Sequence, residues 1–235
     1  MRKKQLITGF ILLCFTLSLS AQTGRGNYNF MDFQQKPYYF GITLGFNSAN
    51  YAIFQSRDFI SNENFNTIES VQGTGGNFGI VTNMKVGKYF DVRFLPTLSF
   101  ASRNIRYNKT TEEEIFQRKI ESVYAEMPFH IRYKSAPFND TRLFVIGGIK
   151  YSFDVASESR AVIKDVELVK VSPTDFALEI GAGAQFFFPY FIFSPEIKFS
   201  HGLGNTLIYN DNLEESTVID KILSRTFTIS LHFEG

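Results

Sequence analysis

The chain has 235 residues, 44% of them hydrophobic and 20% charged, which suffices for one full-sized domain and not for two ordinary ones. Its 24 Lys and Arg against 23 Asp and Glu leave a formal charge of +1, so no basic excess points to nucleic acid and no acidic run marks a disordered tail. The 27 Phe and 11 Tyr, with no Trp, need a place to point, and the single cysteine, Cys14, excludes an internal disulfide, a cysteine zinc site and an iron–sulfur cluster.

Arg2, Lys3 and Lys4 form a basic start, and Leu6 to Leu19 is an almost unbroken apolar stretch followed by small residues at Ser20 and Ala21. This is the pattern of a secretory signal peptide over residues 1–21, cleaved near Ser20 or Ala21. The apolar run is shorter than the roughly 20 residues a spanning helix needs. Cys14 follows Leu13 in mid-run, which does not fit a lipoprotein signal. Removing the three basic residues takes the formal charge from +1 to −2. Residues 22–36 read as a disordered periplasmic leader.

From residue 37 onward the pattern has a period of two, over and over, which is the mark of half-buried strands. One face of the first segment carries Tyr38, Phe40, Ile42, Leu44 and Phe46, and the other Tyr39, Gly41, Thr43, Gly45 and Asn47. Apolar faces recur at Phe78–Val86, Phe90–Phe100, Val123–Tyr133, Leu143–Phe153, Phe176–Phe186, Phe191–Phe199 and Phe227–Phe233, for eight strands in all. Their opposite faces mix Gly, Ser and Thr with single charges. Long polar connections at 48–75, 103–119, 155–173 and 203–223 alternate with short turns near Gly87–Tyr89, Ser135–Thr141 and Pro189–Tyr190. The expected fold is all-β: an eight-stranded antiparallel up-and-down transmembrane β-barrel of outer-membrane type over residues 37–235.

Alternation alone does not say which face is outside. A soluble eight-stranded barrel would turn the apolar face inward, but such an interior is only wide enough for side chains to fill it. Bulky Phe, Ile, Leu and Tyr on every strand exceed that volume. The polar face suits the narrow lumen, and Tyr38, Phe90, Tyr133, Phe186, Phe188, Tyr190, Phe191 and Phe233 beside the short turns suit an interfacial aromatic girdle. The protein is therefore expected in the outer membrane, in contact with its lipid. One local conflict stands: Thr111–Glu114 has the form of a capping box, and Glu114 with Arg118 makes an i,i+4 pair, so 111–122 has the option of a short helix.

The chemistry is sparse. Gly73–Gly79 lacks both the spacing of a dinucleotide fingerprint and the Lys of a phosphate-binding loop, so it reads as a flexible entry into a strand. His130, His201 and His232 have no metal-ligand spacing. His130 with Glu126, on one face two residues either side of Pro128, is the one acid–base pair in reach, yet both face the lumen, away from lipid and surface substrates. No catalytic residue, cofactor, metal or small-molecule substrate is expected. The inward charges have a different reading. Arg93, Arg132, Lys150 and Lys198 meet Glu126, Glu179 and Glu196, with His130 among them, and an unpaired buried charge costs several kcal/mol (on the order given in). These eight residues are expected to form a structural charge network that plugs the lumen.

The blocks Phe40–Asn47, Arg93–Phe100, Glu126-Met127-Pro128-Phe129, Gly147–Tyr151 and Phe193–Leu203 resemble the PorT/SprT outer-membrane barrels of Bacteroidetes, from about Tyr38 to the C-terminus. Glu-x-Pro and Gly-Leu are shared by the wider barrel superfamily; the Arg93–Phe100 and Phe193–Leu203 blocks are the more specific. Phe233 followed by Glu234-Gly235 departs from barrels that end on an aromatic. The resemblance implies an outer-membrane component of the type IX secretion system, required for protein secretion and gliding motility, acting by contacts with other secretion components rather than as a pore. A general structural or adhesive barrel, and a surface lipid-modifying enzyme, are the alternatives.

Overall fold

A computed structural model describes residues 28–56, 59, 65–109, 115–155, 170–209 and 217–235. The signal segment with Cys14, and the first part of the leader, lie outside the described residues. Among the described residues a short helix, α1 (Tyr28–Gln34), is followed by twelve strands: β1 (Tyr38–Gln55), β2 (Phe65–Val71), β3 (Gly73–Val86), β4 (Phe90–Phe94), β5 (Thr97–Lys109), β6 (Ile115–Lys134), β7 (Thr141–Asp154), β8 (Lys170–Val171), β9 (Thr174–Phe187), β10 (Ile192–Gly202), β11 (Leu207–Ile208) and β12 (Ile219–Glu234).

Pairing closes these strands into a ring. β1 bonds β12 on one side and β3 on the other, and β12, β10, β9, β7 and β6 follow as antiparallel neighbours. β6 then meets both β4 and β5, which pair with β3. β4 and β5 are one strand interrupted at Leu95-Pro96. Proline has no N–H to donate, yet the ladder carries across: Leu95 N–H donates to the Pro128 carbonyl at 3.2 Å, and Ile80 N–H to that of Pro96 at 3.0 Å. β2 prolongs β3 along β5. The ring therefore has eight positions, and closure leaves no edge for the bilayer to meet.

The faces sort as the side-chain period dictates. Ile42, Leu44 and Phe46 of β1, Ile131 of β6 and Ile180 of β9 point out, with Ile180 63% exposed, whereas Asn47, Asn83, Arg93, Glu196 and His232 are almost wholly enclosed. The apolar face is the outer one. A water-soluble barrel would have it reversed.

Strand lengths are uneven. A barrel strand needs about 9–11 residues to cross a bilayer, and β1, β6 and β12 have 18, 20 and 16. The surplus lies at the long-loop end, where backbone beyond the lipid stays paired. Parts of the segments expected to be loops are thus strand: β1 runs to Gln55, β5 to Lys109, and β12 begins at Ile219. The helical option over 111–122 fails from Ile115 onward, because Ile115 to Ser122 pair in register with Ala101 to Asn108 of β5; a neighbouring strand outweighs a local i,i+4 pair worth a few tenths of a kcal/mol (~0.2–0.5). At the opposite end the β6–β7 turn is tight. Asn139 and Asp140 take positive φ of 45° and 55°, as a two-residue hairpin of the primed type requires.

Residues 28–34 are helical, unlike the disordered leader expected over 22–36. Phe30 and Phe33, three residues apart, share one face of α1 and bury against Tyr39, Phe187 and Ile192. Phe30 stands edge-on to Phe187 with ring centroids 5.1 Å apart. Phe30 N–H donates to Asp140 Oδ1 at 3.0 Å, and Asn29 Nδ2 to the Phe187 carbonyl at 3.2 Å. α1 lies across the short-turn mouth of the barrel. At the other mouth Tyr51, Ile68, Val218, Ile219 and Ile222 form an apolar cluster, with Phe59, Val171 and Leu207 packed on it.

Candidate functional site: the charged lumen

The inward residues of neighbouring strands meet in two ionic groups, one above the other. In the group nearer the short turns, Arg93 of β4 donates from Nη1 to Glu196 Oε2 and from Nη2 to Glu234 Oε1, each at 2.8 Å. Arg132 of β6 donates to Asp91 Oδ2 from Nε at 3.1 Å and from Nη2 at 2.7 Å, and to Asn83 Oδ1 at 2.9 Å. Arg132 also donates to the Tyr39 hydroxyl, and Lys134 to Asp91. His232 Nε2 lies 3.5 Å from Glu196 Oε2. Every side chain in these pairs between Arg and carboxylate is fully enclosed.

Phe144 of β7 fills the space between the two guanidiniums, with Arg132 5.1 Å and Arg93 6.0 Å from its ring centroid. The register explains how a phenylalanine fits in the lumen. Phe144 faces Gly183 of β9, and a Cβ at Gly183 would stand 2.5 Å from Phe144 Cζ and from the Pro195 carbonyl oxygen. The glycines of β9 leave room for larger groups across the barrel.

The second group centres on Glu179 of β9. Its Oε2 is 2.6 Å from His130 Nε2 and 3.4 Å from Lys198 Nζ, and its Oε1 is 3.3 Å from Lys150 Nζ. Lys150 also reaches Glu126 Oε1 at 3.1 Å. Nearer the long loops, Arg103 lies between the rings of Tyr51 and Tyr124, 5.1 and 4.9 Å from their centroids. It donates to the Tyr124 hydroxyl at 2.9 Å.

The eight residues singled out in the sequence thus fall in these two groups, Arg93, Arg132 and Glu196 in one and Glu126, His130, Lys150, Glu179 and Lys198 in the other. His130 engages Glu179 across a strand boundary rather than Glu126 on its own strand. Asp91, Tyr39 and His232, which strand parity puts on the polar faces, join these groups although they are not among the eight, and Lys134 and Glu234 join them by the same parity. Glu234 is the clearest case. Read from the sequence as a departure at the end of the last strand, it is 1% exposed and supplies a carboxylate to Arg93, while Gly235 exchanges backbone hydrogen bonds with Phe40.

A closed eight-stranded ring with an apolar exterior and an ion-paired interior defines a transmembrane β-barrel of outer-membrane type. The chain belongs to the outer membrane protein beta-barrel domain family, whose model matches residues 21–207. It is a protein of the outer membrane. No curated protein matches the sequence. Among solved structures, the attachment invasion locus protein Ail of Yersinia pestis, crystallised with the heparin analogue sucrose octasulfate, is 11% identical with a TM-score of 0.38, over 85% of this chain and 100% of that one. OprG of Pseudomonas aeruginosa is 11% identical with a TM-score of 0.43, over 84% and 95%. Neisserial surface protein A is 9% identical with a TM-score of 0.39, over 83% and 96%.

Proposed function

We propose that this protein is a non-conducting outer-membrane barrel with a structural role, exerted by contacts at its two ends rather than by passage through its lumen. The observation that carries this reading is the network from Asp91 to Glu179, in which each carboxylate named above has a cation within 4 Å. Two further layers support it: α1 across one mouth and the apolar cluster around Ile219 and Ile222 across the other. In barrels of this class short turns face the periplasm and long loops the outside. Periplasmic contacts would then fall to α1 and the short turns, and external contacts to the strand extensions.

A second reading is favoured by the Arg93–Phe100 and Phe193–Leu203 blocks, whose resemblance to PorT/SprT barrels suggests a component of type IX secretion. A clean gene deletion with a proteomic comparison of the culture medium separates the two. Secretion cargo retained in the cell, with gliding lost, supports the second; unchanged medium and motility with a weakened envelope supports the first.

A further inference from the structure

A cavity of about 320 Å³ opens at the periplasmic mouth, between α1 and the ends of the barrel strands, and Lys36, Lys85, Lys88, Lys134 and Arg142 line it without any Asp or Glu among them. Lys134 is paired with Asp91. The other four make no ion pair among the described residues. Arg142, 5% exposed, donates from Nε to the Ser135 carbonyl and from Nη2 to that of Lys88, both at 2.8 Å. Lys85 donates to the Phe33 carbonyl. Lys36 and Lys88 lie over the rings of Phe33 and Tyr89, 5.0 and 5.5 Å from their centroids. Neutral carbonyls and ring faces hold these cations in place, and the carboxylate that acts on Lys85 and Arg142, Asp91, is already shared by Arg132 and Lys134.

That contrasts with the lumen a few residues deeper, where cations meet carboxylates. The wall opposite is apolar, formed by Phe30, Phe33 and Phe187. Depth matters as well. The lining residues Tyr39, Lys134 and Phe187 alternate along their strands with Tyr38, Tyr133 and Phe186, which point out into the aromatic girdle. A girdle of this kind sits at headgroup level, so the cavity lies at the level of the phosphates of the inner leaflet.

We propose that this pocket binds a phosphate group presented from the periplasmic side, carried by a phospholipid headgroup or by a soluble phosphate ester. A phosphate monoester offers three acceptor oxygens and up to two charges, and a phospholipid diester two free oxygens on a tetrahedral centre and one charge, which suits donors converging from the α1–β1 link, β3, the β3–β4 turn and β7 better than a flat carboxylate does. A cavity of this size lies at the small end of the range for ligand pockets, ~300–1,000 Å³, enough for the phosphate and the first carbons of its ester against the phenylalanine wall.

The test uses the full mature protein. In detergent it is titrated calorimetrically with glycerol phosphate and with acetate. In nanodiscs of phosphatidylcholine containing phosphatidylglycerol, native mass spectrometry reads which lipid stays bound on release. Saturable binding of glycerol phosphate supports the site for a soluble ester, and selective retention of phosphatidylglycerol supports it for a headgroup. The exposed double variant Lys36→Gln/Lys88→Gln should weaken either by about tenfold or more, the loss expected for two charge-assisted hydrogen bonds. Lys85→Gln should do the same, with a heat-dependent gel shift confirming that each variant is folded; if Lys85→Gln does not fold, the exposed double variant decides. The proposal is overturned if neither ligand binds, if acetate binds as tightly as glycerol phosphate, or if the folded variant keeps parental affinity.

Discussion

Glu179 touches two cationic side chains, Lys150 and Lys198, and the ring of His130, and Glu196 touches Arg93 and His232. Removing a buried carboxylate strands its partners, which is the costly way to break an ion pair, at about 3–5 kcal/mol. Glu179→Ala and Glu196→Ala are each expected to lower the urea midpoint of the barrel refolded in lipid vesicles, Glu179→Ala at least as much. A midpoint unchanged in both would remove the structural role assigned to the network. Gly183→Ala should also destabilise, by about 1–3 kcal/mol for overpacking, because its new Cβ meets Phe144 and the Pro195 carbonyl. At this scale strand parity told which charges face in, but not who meets whom. The pairing of His130 with Glu179 depends on Gly148 lying opposite Glu179 in the β7–β9 register, and that offset is set by hairpin geometry rather than by either residue.

Among the elements, α1 is the one the sequence concealed. A two-turn helix has too few residues to show a period convincingly, and an isolated helix this short is not stable in water; docking against Phe187 and Ile192 supplies what propensity does not. Phe30→Ala/Phe33→Ala should undock it. Proteolysis within residues 28–36 should then speed up while the heat-dependent gel shift of the barrel stays, and equal proteolysis rates would mean the contacts contribute nothing. β6 teaches the opposite lesson. Thr111–Glu114 and the Glu114–Arg118 pair are a valid local helix signal, yet β5 alongside turns Ile115 onward into strand. The eight transmembrane strands were legible throughout, because one face on lipid and one on a polar lumen impose strict alternation. The long-loop ends were not, since beyond the bilayer the outer face meets water while the inner one carries apolar residues such as Tyr51, Ile68, Ile219 and Ile222, and the alternation set by lipid loses its cause.

For the molecule as a whole, the direction of the apolar face decides everything else. Ile180 projects from β9 at 63% exposure, and Ile180→Arg should cost about 2–4 kcal/mol if that side chain sits near the bilayer midplane, read as lost folding efficiency in vesicles. If that outer face met water instead of lipid, the same arginine would be tolerated without loss. The aromatic surplus in the composition now has its place: among the described residues most phenylalanines cover the outer surface and the girdle, and a few, Phe30, Phe33, Phe144 and Phe187, seal the interior.

The proposed non-conducting barrel is closed by its own side chains along its length. Single-channel recording of the purified mature protein in planar bilayers tests it most directly. The closed lumen predicts no large steady current at moderate voltage in the parent protein, and none in the α1 variant Phe30→Ala/Phe33→Ala, because the ionic groups around Arg93 and Glu179 remain. Uniform, porin-like conductance steps from the parent protein would contradict it.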